Sequence, residues 1–131
     1  MKNIDTVQGL YAAFGRGDIP AIIERLTDDV EWEHDTTDHG VVTLIPRRGR
    51  GEVGKFFQAL GDLEFTRFEV QGLFESGAQV VAVVAVGHTH KRTRKSFADL
   101  EVHLWTFDER GQVARFRHFV DSHALWLQQQ G

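Results

Sequence analysis

Two histidines of the sequence lie in alternating stretches that are typical of β-strands. His34 follows alternate apolar residues in "VEWEHD", and His103 stands near the middle of "DLEVHLWTF". Imidazole titrates near neutrality, so it can donate or accept a proton there without large tuning. Both histidines are therefore candidates for acid–base chemistry. The alternative for each is a buried histidine that is hydrogen-bonded for packing alone.

The stretch "DLEVHLWTF" separates two chemically different faces. Successive strand residues point to opposite sides, so Glu101, His103 and Trp105 share one face. Trp105 is expected to form a wall of a pocket beside His103, and Glu101 to orient the imidazole or act as a second acid. The alternative for Glu101 is a solvated residue at the rim.

Three further aromatic residues, Tyr11, Trp32 and Phe57, are candidates for the walls of a substrate pocket. Such residues are more often simply part of a hydrophobic core. Together with Trp105, they predict a ligand that is hydrophobic and small.

The motif "HTH" offers a metal site that the spacing does not favour. His88 and His90 share one face of a strand, as ligands of zinc or iron would. A turn within "KRTRK" would place His88 opposite Asp99 and leave His103 several residues away. We therefore predict no metal site, and a cross-strand pair of His88 with Asp99 instead.

Composition limits the class of protein. The 131 residues suit a single domain over 1–131. A net charge of −4 gives no overall attraction for nucleic acid or for anionic membranes. No apolar run approaches the ~20 residues that span a bilayer, and the start lacks the pattern of a signal peptide. We expect a cytoplasmic protein, and the absence of cysteine excludes thiolate chemistry.

Periodicity predicts the order of the elements. Apolar residues at spacings of three and four indicate a helix before Gly15, a short helix capped by Asp18, and a third helix before Gly61. A strand containing His34 precedes the third helix, and a short helix with Asp121 or Ser122 as its cap closes the chain. Alternation predicts an antiparallel meander of four strands at about 65–74, 79–90, 97–107 and 112–121. The fold class is therefore α+β, a cone-shaped curved antiparallel sheet around three N-terminal helices.

The even-numbered residues of "DLEVHLWTF" form an apolar face that needs to be covered. Leu100, Val102 and Leu104 would point away from the helices, and Phe119 belongs to the same surface. An apolar outer face predicts a partner subunit, so we expect a homodimer through the outer sheet face.

The passages "LYAAFGRGDIPAIIERLTDDVEWEH", "RGRGEVGKFFQAL" and "GQVARFRHFVDSHAL" resemble the SnoaL-like, ketosteroid-isomerase-related branch of the nuclear transport factor 2-like superfamily. The resemblance covers nearly the whole chain. It implies a cone-shaped α+β fold with a pocket between sheet and helices, commonly dimeric through the outer face of the sheet. Members of that family include isomerases, polyketide cyclases, epoxide hydrolases, dehydratases and non-catalytic binding domains, so the fold alone does not decide activity.

Matched to ketosteroid isomerase, the chain replaces both carboxyl groups of that site. The resemblance places His34 at the general base and His103 at the protonated acid of the oxyanion hole, while the oxyanion tyrosine maps to Leu10, next to Tyr11. It also points His118 and Val120 towards the pocket. At the position of His118, relatives often have an acidic residue. A true steroid isomerase is therefore not expected.

The resemblance and the residues together predict a small enzyme without a cofactor. It would act by proton transfer on a hydrophobic carbonyl or polyketide-like compound, with His34 or His118 as general acid or base and His103 donating a hydrogen bond to a developing oxyanion. Isomerase, cyclase, dehydratase and epoxide-hydrolase chemistry all remain open. The alternative is a non-catalytic ligand-binding or dimerisation module of the same fold.

Overall fold

The elements follow the predicted order, with two small additions. In the computed structural model, which describes residues 2–131, a 3₁₀ turn (Val42–Leu44) and a two-residue strand precede the third helix. The helices are α1 (Asn3–Gly15), α2 (Ile19–Ile23), α3 (Arg50–Leu60) and α4 (Ser122–Gln129). The strands are β1 (Leu26–Trp32), β2 (Arg47–Arg48), β3 (Leu63–Ser76), β4 (Gln79–His90), β5 (Ser96–Phe107) and β6 (Val113–Phe119).

Two predicted helix caps are present. The Asp18 carboxylate accepts a hydrogen bond from the backbone N–H of Ala21 (3.2 Å) at the start of α2. At the start of α4, the Asp121 carboxylate accepts one from the N–H of Ala124 (3.0 Å). Both caps satisfy a backbone donor that the first helical turn leaves without a partner.

The six strands form one curved sheet in the order β2-β1-β6-β5-β4-β3. Strands β3 to β6 make the predicted antiparallel meander. The sheet as a whole is mixed rather than antiparallel, because β1 pairs parallel with β6 and antiparallel with β2. Sequence periodicity does not show this pairing, which joins elements far apart in the chain.

The core lies between the concave face of the sheet and helices α1 to α3. Fully buried residues from α1 (Val7), β1 (Leu26 and Trp32) and α3 (Val53) meet Val113 of β6 there. The burial of these side chains fixes the helices against the sheet. It also leaves the inner-face residues of β4 and β5 pointing towards the helices.

The outer face of the sheet carries exposed apolar side chains, as the alternation of β5 predicts. Three side chains on it are largely exposed: Phe74 (62%), Leu100 (56%) and Phe119 (45%). The Arg117 guanidinium lies 4.6 Å from the centroid of the Phe119 ring and shields one side of it.

The basic turn "KRTRK" between β4 and β5 holds the C-terminal helix. The Arg92 guanidinium donates to the carbonyl of Gln129 (2.7 Å), the Thr93 hydroxyl to that of Gln128 (2.6 Å), and the Lys95 ammonium to that of Gln130 (2.6 Å). These donors satisfy carbonyls at the end of the helix, and the positive charges of Arg92 and Lys95 favour that end of the helix dipole. Across residues 2–131, no helix is long and apolar enough to cross a membrane.

Candidate functional site

A small, mostly apolar cavity lies between α1, α3, the end of α4 and the inner face of the sheet. Its volume is about 90 Å³. A single water molecule needs about 10–15 Å³ of cavity volume, so this cavity has room for several groups of that size. Aromatic and aliphatic residues make up most of its lining. The lining residues that have polar side-chain atoms are Tyr11, Trp32, Thr43, His88, Glu101, His103, Trp105 and His118.

A hydrogen-bonded chain of four side chains runs along one side of this cavity. The indole N–H of Trp105 donates to the Tyr11 hydroxyl oxygen (3.0 Å), which lies 2.6 Å from Nδ1 of His103. On the other side of the imidazole ring, Nε2 of His103 lies 2.9 Å from a carboxylate oxygen of Glu101. Helix α1 supplies the tyrosine, and β5 supplies the other three from one face of the strand.

One protonation pattern satisfies every member of the chain. If the Tyr11 hydroxyl donates to Nδ1 of His103, the imidazole carries its proton on Nε2 and donates it to the Glu101 carboxylate. Burial raises the pKa of Tyr11, which keeps the phenol protonated. Burial also lowers the pKa of His103, although Glu101 opposes that effect. Neutral His103 is thus oriented by a carboxylate, as the histidine of a catalytic triad is.

His118 lies beside this chain in a different electrostatic environment. It pairs with His103 across β5 and β6, and the two ring centroids are 5.7 Å apart. Nδ1 of His118 contacts the carboxylate of Glu33, a residue that is 1% exposed. Burial alone lowers the pKa of His118, but the hydrogen bond and charge of Glu33, with help from Glu101, outweigh burial and raise it.

The two histidines therefore have opposed tendencies within one apolar cavity. His118 favours the imidazolium form beside Glu33, whereas His103 favours the neutral form. Neighbouring titratable groups whose pKa values are driven apart can serve as an acid and a base at the same pH.

The structure does not bring His34 into the cavity. Strand β1 ends at Trp32, and the next residues include two in the left-handed region, Glu33 (φ 56°) and Asp35 (φ 60°). This interrupts the two-residue alternation, so that Glu33, expected on the outer side, turns inward. Nδ1 of His34 instead lies 3.0 Å from the Asp35 carboxylate.

Val120 also lies outside the cavity. Strand β6 ends at Phe119, and Val120 packs in a separate small cluster with Val41, Phe97 and Leu125. The other expected site residues line the cavity: Tyr11, Trp32, Phe57, Glu101, His103, Trp105 and His118.

The predicted pair of His88 with Asp99 does not form. The β4–β5 register places His88 opposite Phe97, and Asp99 opposite Val86. The chain reverses one residue earlier than expected: His90 is the last residue of β4, and its Nδ1 accepts from the backbone N–H of Arg92 (3.1 Å) in the turn that follows. In the described part of the chain, no three His, Cys, Asp or Glu side chains are arranged to hold a metal ion.

Glu33 is the site residue that sequence reasoning missed. A buried acid needs a partner, and the partner of Glu33 lies 85 residues away on β6. The parallel pairing of β1 with β6 brings them together, and the backbone N–H of Glu33 donates to the carbonyl of Phe116 (2.7 Å). No local pattern in the sequence signals that contact.

A family model for the SnoaL-like domain matches residues 7–116, so the chain belongs to the SnoaL-like family of the NTF2-like superfamily. A sequence search finds no match among curated proteins. Among solved structures, an NTF2-like protein from Burkholderia thailandensis is 27% identical over 100% of both chains, with a TM-score of 0.85.

Two more distant structures share the fold. TerC, co-crystallised with polyporic acid, is 24% identical over 96% of each chain, with a TM-score of 0.79. An LEH-like epoxide hydrolase from M. tuberculosis is 16% identical over 96% of this chain and 87% of its own, with a TM-score of 0.68.

Proposed function

We propose that the chain is a cofactor-independent enzyme that moves protons on a hydrophobic carbonyl or polyketide-like compound. Isomerase, cyclase, dehydratase and epoxide-hydrolase reactions share that step. The observation that carries the proposal is the arrangement of His118 and Glu101 in one cavity: the His118 ring contacts the Glu33 carboxylate, which raises the pKa of His118, and Glu101 is held by Nε2 of His103 at 2.9 Å.

His118 is the proposed general acid. Among residues 2–131, only its Nδ1 has a side-chain partner, Glu33, so its Nε2–H is free to donate to the substrate oxygen where negative charge develops. Trp32 offers a second hydrogen-bond donor for the substrate, because its indole N–H is buried without a partner among the described residues. A substrate oxygen would satisfy that donor.

Glu101 is the proposed base. One of its oxygens accepts from His103, and the other has no hydrogen-bond partner within residues 2–131. A proton leaves a substrate carbon for that oxygen while the electron pair moves towards the carbonyl oxygen held by His118. Return of the proton to a second carbon completes an isomerisation.

His103 acts on the substrate through its neighbours. Both of its ring nitrogens are engaged, Nδ1 with Tyr11 and Nε2 with Glu101. It is therefore a positioning residue, rather than the direct oxyanion donor that the resemblance implies.

Two relatives of this fold agree with a ligand-binding, enzymatic role. TerC was co-crystallised with polyporic acid, and the protein from M. tuberculosis is described as an epoxide hydrolase. The volume of about 90 Å³ favours a slender substrate. A ligand with several fused rings requires the lining aromatic side chains to change rotamer.

Solvent exchange tests the isomerase, cyclase and dehydratase forms of this proposal, which remove a proton next to a carbonyl, and conversion of an epoxide to its diol tests the hydrolase form. In heavy water, the enzyme should catalyse exchange of the α-protons of enolisable ketones, followed by proton NMR. Loss of a positioned acid or base typically costs about 10²–10⁴-fold in rate, so His118→Gln and Glu101→Gln should each lose at least a hundredfold. His39→Gln alters a histidine in an exposed loop and serves as the control. Binding of the ketones without any exchange, and of the epoxide without any diol, would support the non-catalytic module instead.

We also propose a homodimer through the outer sheet face. The apolar side chains of Phe74, Leu100 and Phe119 support it, since they form an exposed patch on the side opposite the cavity. A dimer of this kind would leave the cavity mouth free.

A further inference from the structure

His88 is a polar residue of the cavity that the proposed proton transfer does not use. It lies on the inner face of β4 and is 3% exposed. Its ring stacks on Phe97, with centroids 4.8 Å apart and planes 16° apart, and meets the ring of Phe65 edge-on at 5.3 Å. Because the ring is packed among apolar neighbours, each of its two nitrogens needs a hydrogen-bond partner.

Gln128 of α4 determines which nitrogen of His88 carries the proton. The side-chain Nε2 of Gln128 lies 3.0 Å from the carbonyl oxygen of Lys95 and 3.3 Å from that of His88 itself. Carbonyl oxygens only accept, so this atom is the amide nitrogen and not the amide oxygen. It also lies 3.1 Å from Nδ1 of His88. Since an amide nitrogen does not accept, Nδ1 is the unprotonated acceptor.

The proton of neutral His88 is therefore on Nε2. That N–H has no hydrogen-bond partner within residues 2–131, and the residue lines the cavity. Burial lowers the pKa of His88 against the opposing charge of Glu101, which keeps the ring neutral. The position of α4, held by the contact of Gln128 with Lys95, thus determines that His88 presents a hydrogen-bond donor to the cavity.

We propose that His88 is a second binding point of the cavity, where its Nε2–H donates to a neutral acceptor oxygen of the substrate. A neutral donor suits a ketone, ester or ether oxygen better than a carboxylate, which would need a positive partner. Because His88 lines the cavity and its Nε2 has no partner within residues 2–131, a substrate oxygen in the cavity can accept from it.

The position of His88 along β4 indicates the shape of the substrate. Glu101 pairs with Val84, four positions before His88 on the same strand. At about 3.3 Å per residue, this separation is roughly 13 Å along the strand. The substrate would therefore be elongated, with its reacting carbonyl near Glu101 and His118 and a second oxygen near His88. This assignment rests on the proposed function only in taking the cavity as the ligand site.

A matched pair of probes tests the inference by binding alone. Both probes carry an aryl ketone at one end for the reacting site; the first has a methyl ketone at the far end of a short alkyl chain, and the second replaces that far carbonyl oxygen by a methylidene group. Wild-type protein should bind the ketone several-fold more tightly in calorimetric titration. His88→Phe should remove the preference while leaving affinity for the methylidene probe within about twofold.

Histidine-labelled ¹⁵N NMR of the wild type tests the same inference without any substitution. We expect His88 to show an unprotonated Nδ1 and an Nε2–H resonance that shifts with the ketone probe and not with the methylidene probe. Gln128→Leu provides a second variant, in which the tautomer is no longer fixed and the preference falls.

The outcomes separate this inference from the proposed enzyme. A proton on Nδ1, or equal affinity for the two probes, including failure of both to bind, would overturn the role of His88. If the probe preference holds and both ketone exchange and diol formation are absent, the catalytic proposal fails and the binding role of His88 stands. If exchange occurs without the preference, the role of His88 fails and the catalytic proposal stands.

Discussion

Glu33→Gln perturbs the charge on which the proposed acid depends. The carboxylate of Glu33 is enclosed with the His118 ring, whose side chain is 9% exposed. Glutamine keeps the shape of the side chain and removes its charge. Burial then outweighs the remaining influence of Glu101, so the pKa of His118 should fall from its raised value to below the ordinary 6.5.

The cost in stability follows from the burial of the pair. Removing one partner of a buried ion pair costs about 3–5 kcal/mol when the other charge remains. His118 can lose its proton, and the amide of glutamine still bonds its ring, so we expect about 1–3 kcal/mol. At about 4 °C per kcal/mol for a domain of this size, the unfolding midpoint should fall by roughly 4–12 °C.

The loss of stability in Glu33→Gln should depend on pH in a definite direction. Because the folded pKa of His118 is raised, its stabilisation is fully present below the unfolded pKa of about 6.5 and is lost as pH rises through the folded pKa. In Glu33→Gln the folded pKa is lowered, so protonation no longer stabilises the fold. The difference in unfolding free energy between wild type and variant should therefore be largest at mildly acid pH and should shrink as pH rises.

Two assays check this prediction: urea denaturation across the pH range, and NMR titration of the labelled histidines. Glu31→Gln is the matched control, since Glu31 is two residues away, 42% exposed and paired with Arg115 on the surface. It should change the unfolding free energy by less than about 0.5 kcal/mol. A pKa of His118 that is unchanged or higher in Glu33→Gln, or an equal effect of the two substitutions, would refute the reasoning.

Three further substitutions address other contacts. Tyr11→Phe leaves Nδ1 of His103 and a buried indole N–H without a partner, so chemical denaturation should show a loss of about 1–3 kcal/mol; an unshifted His103 ¹⁵N signal would contradict the hydrogen bond. Leu100→Glu should weaken the proposed dimer roughly tenfold or more in analytical ultracentrifugation, since an unpaired buried charge costs over about 1.4 kcal/mol. Leu127→Glu, an exposed leucine on α4, is its control, and a monomeric wild type would rule out the dimer. Thr93→Val removes a donor to the last turn of α4 and should cost about 1 kcal/mol. Amide exchange in α4 should then become faster, and an unchanged rate would show that the turn does not hold the helix.

Local physics determined the faces of the long strands. The period of two in "DLEVHLWTF" puts Glu101, His103 and Trp105 on one side and Leu100 on the other, because the backbone of a regular strand admits no other arrangement. The helix caps at Asp18 and Asp121 were likewise readable, since each depends on residues only three positions apart.

Only the tertiary structure decided which residues complete the site. The left-handed conformation at Glu33 ends the alternation of β1, and the parallel pairing of β1 with β6 brings the Glu33 carboxylate to His118. That pairing, like the contact of Gln128 with His88, joins residues remote in sequence. Periodicity reports which side of an element a residue occupies, whereas the partner across the cavity depends on how whole elements pack. The sequence alone therefore determined the inner face of β5, and packing determined the charge and tautomer of the histidines on the cavity wall.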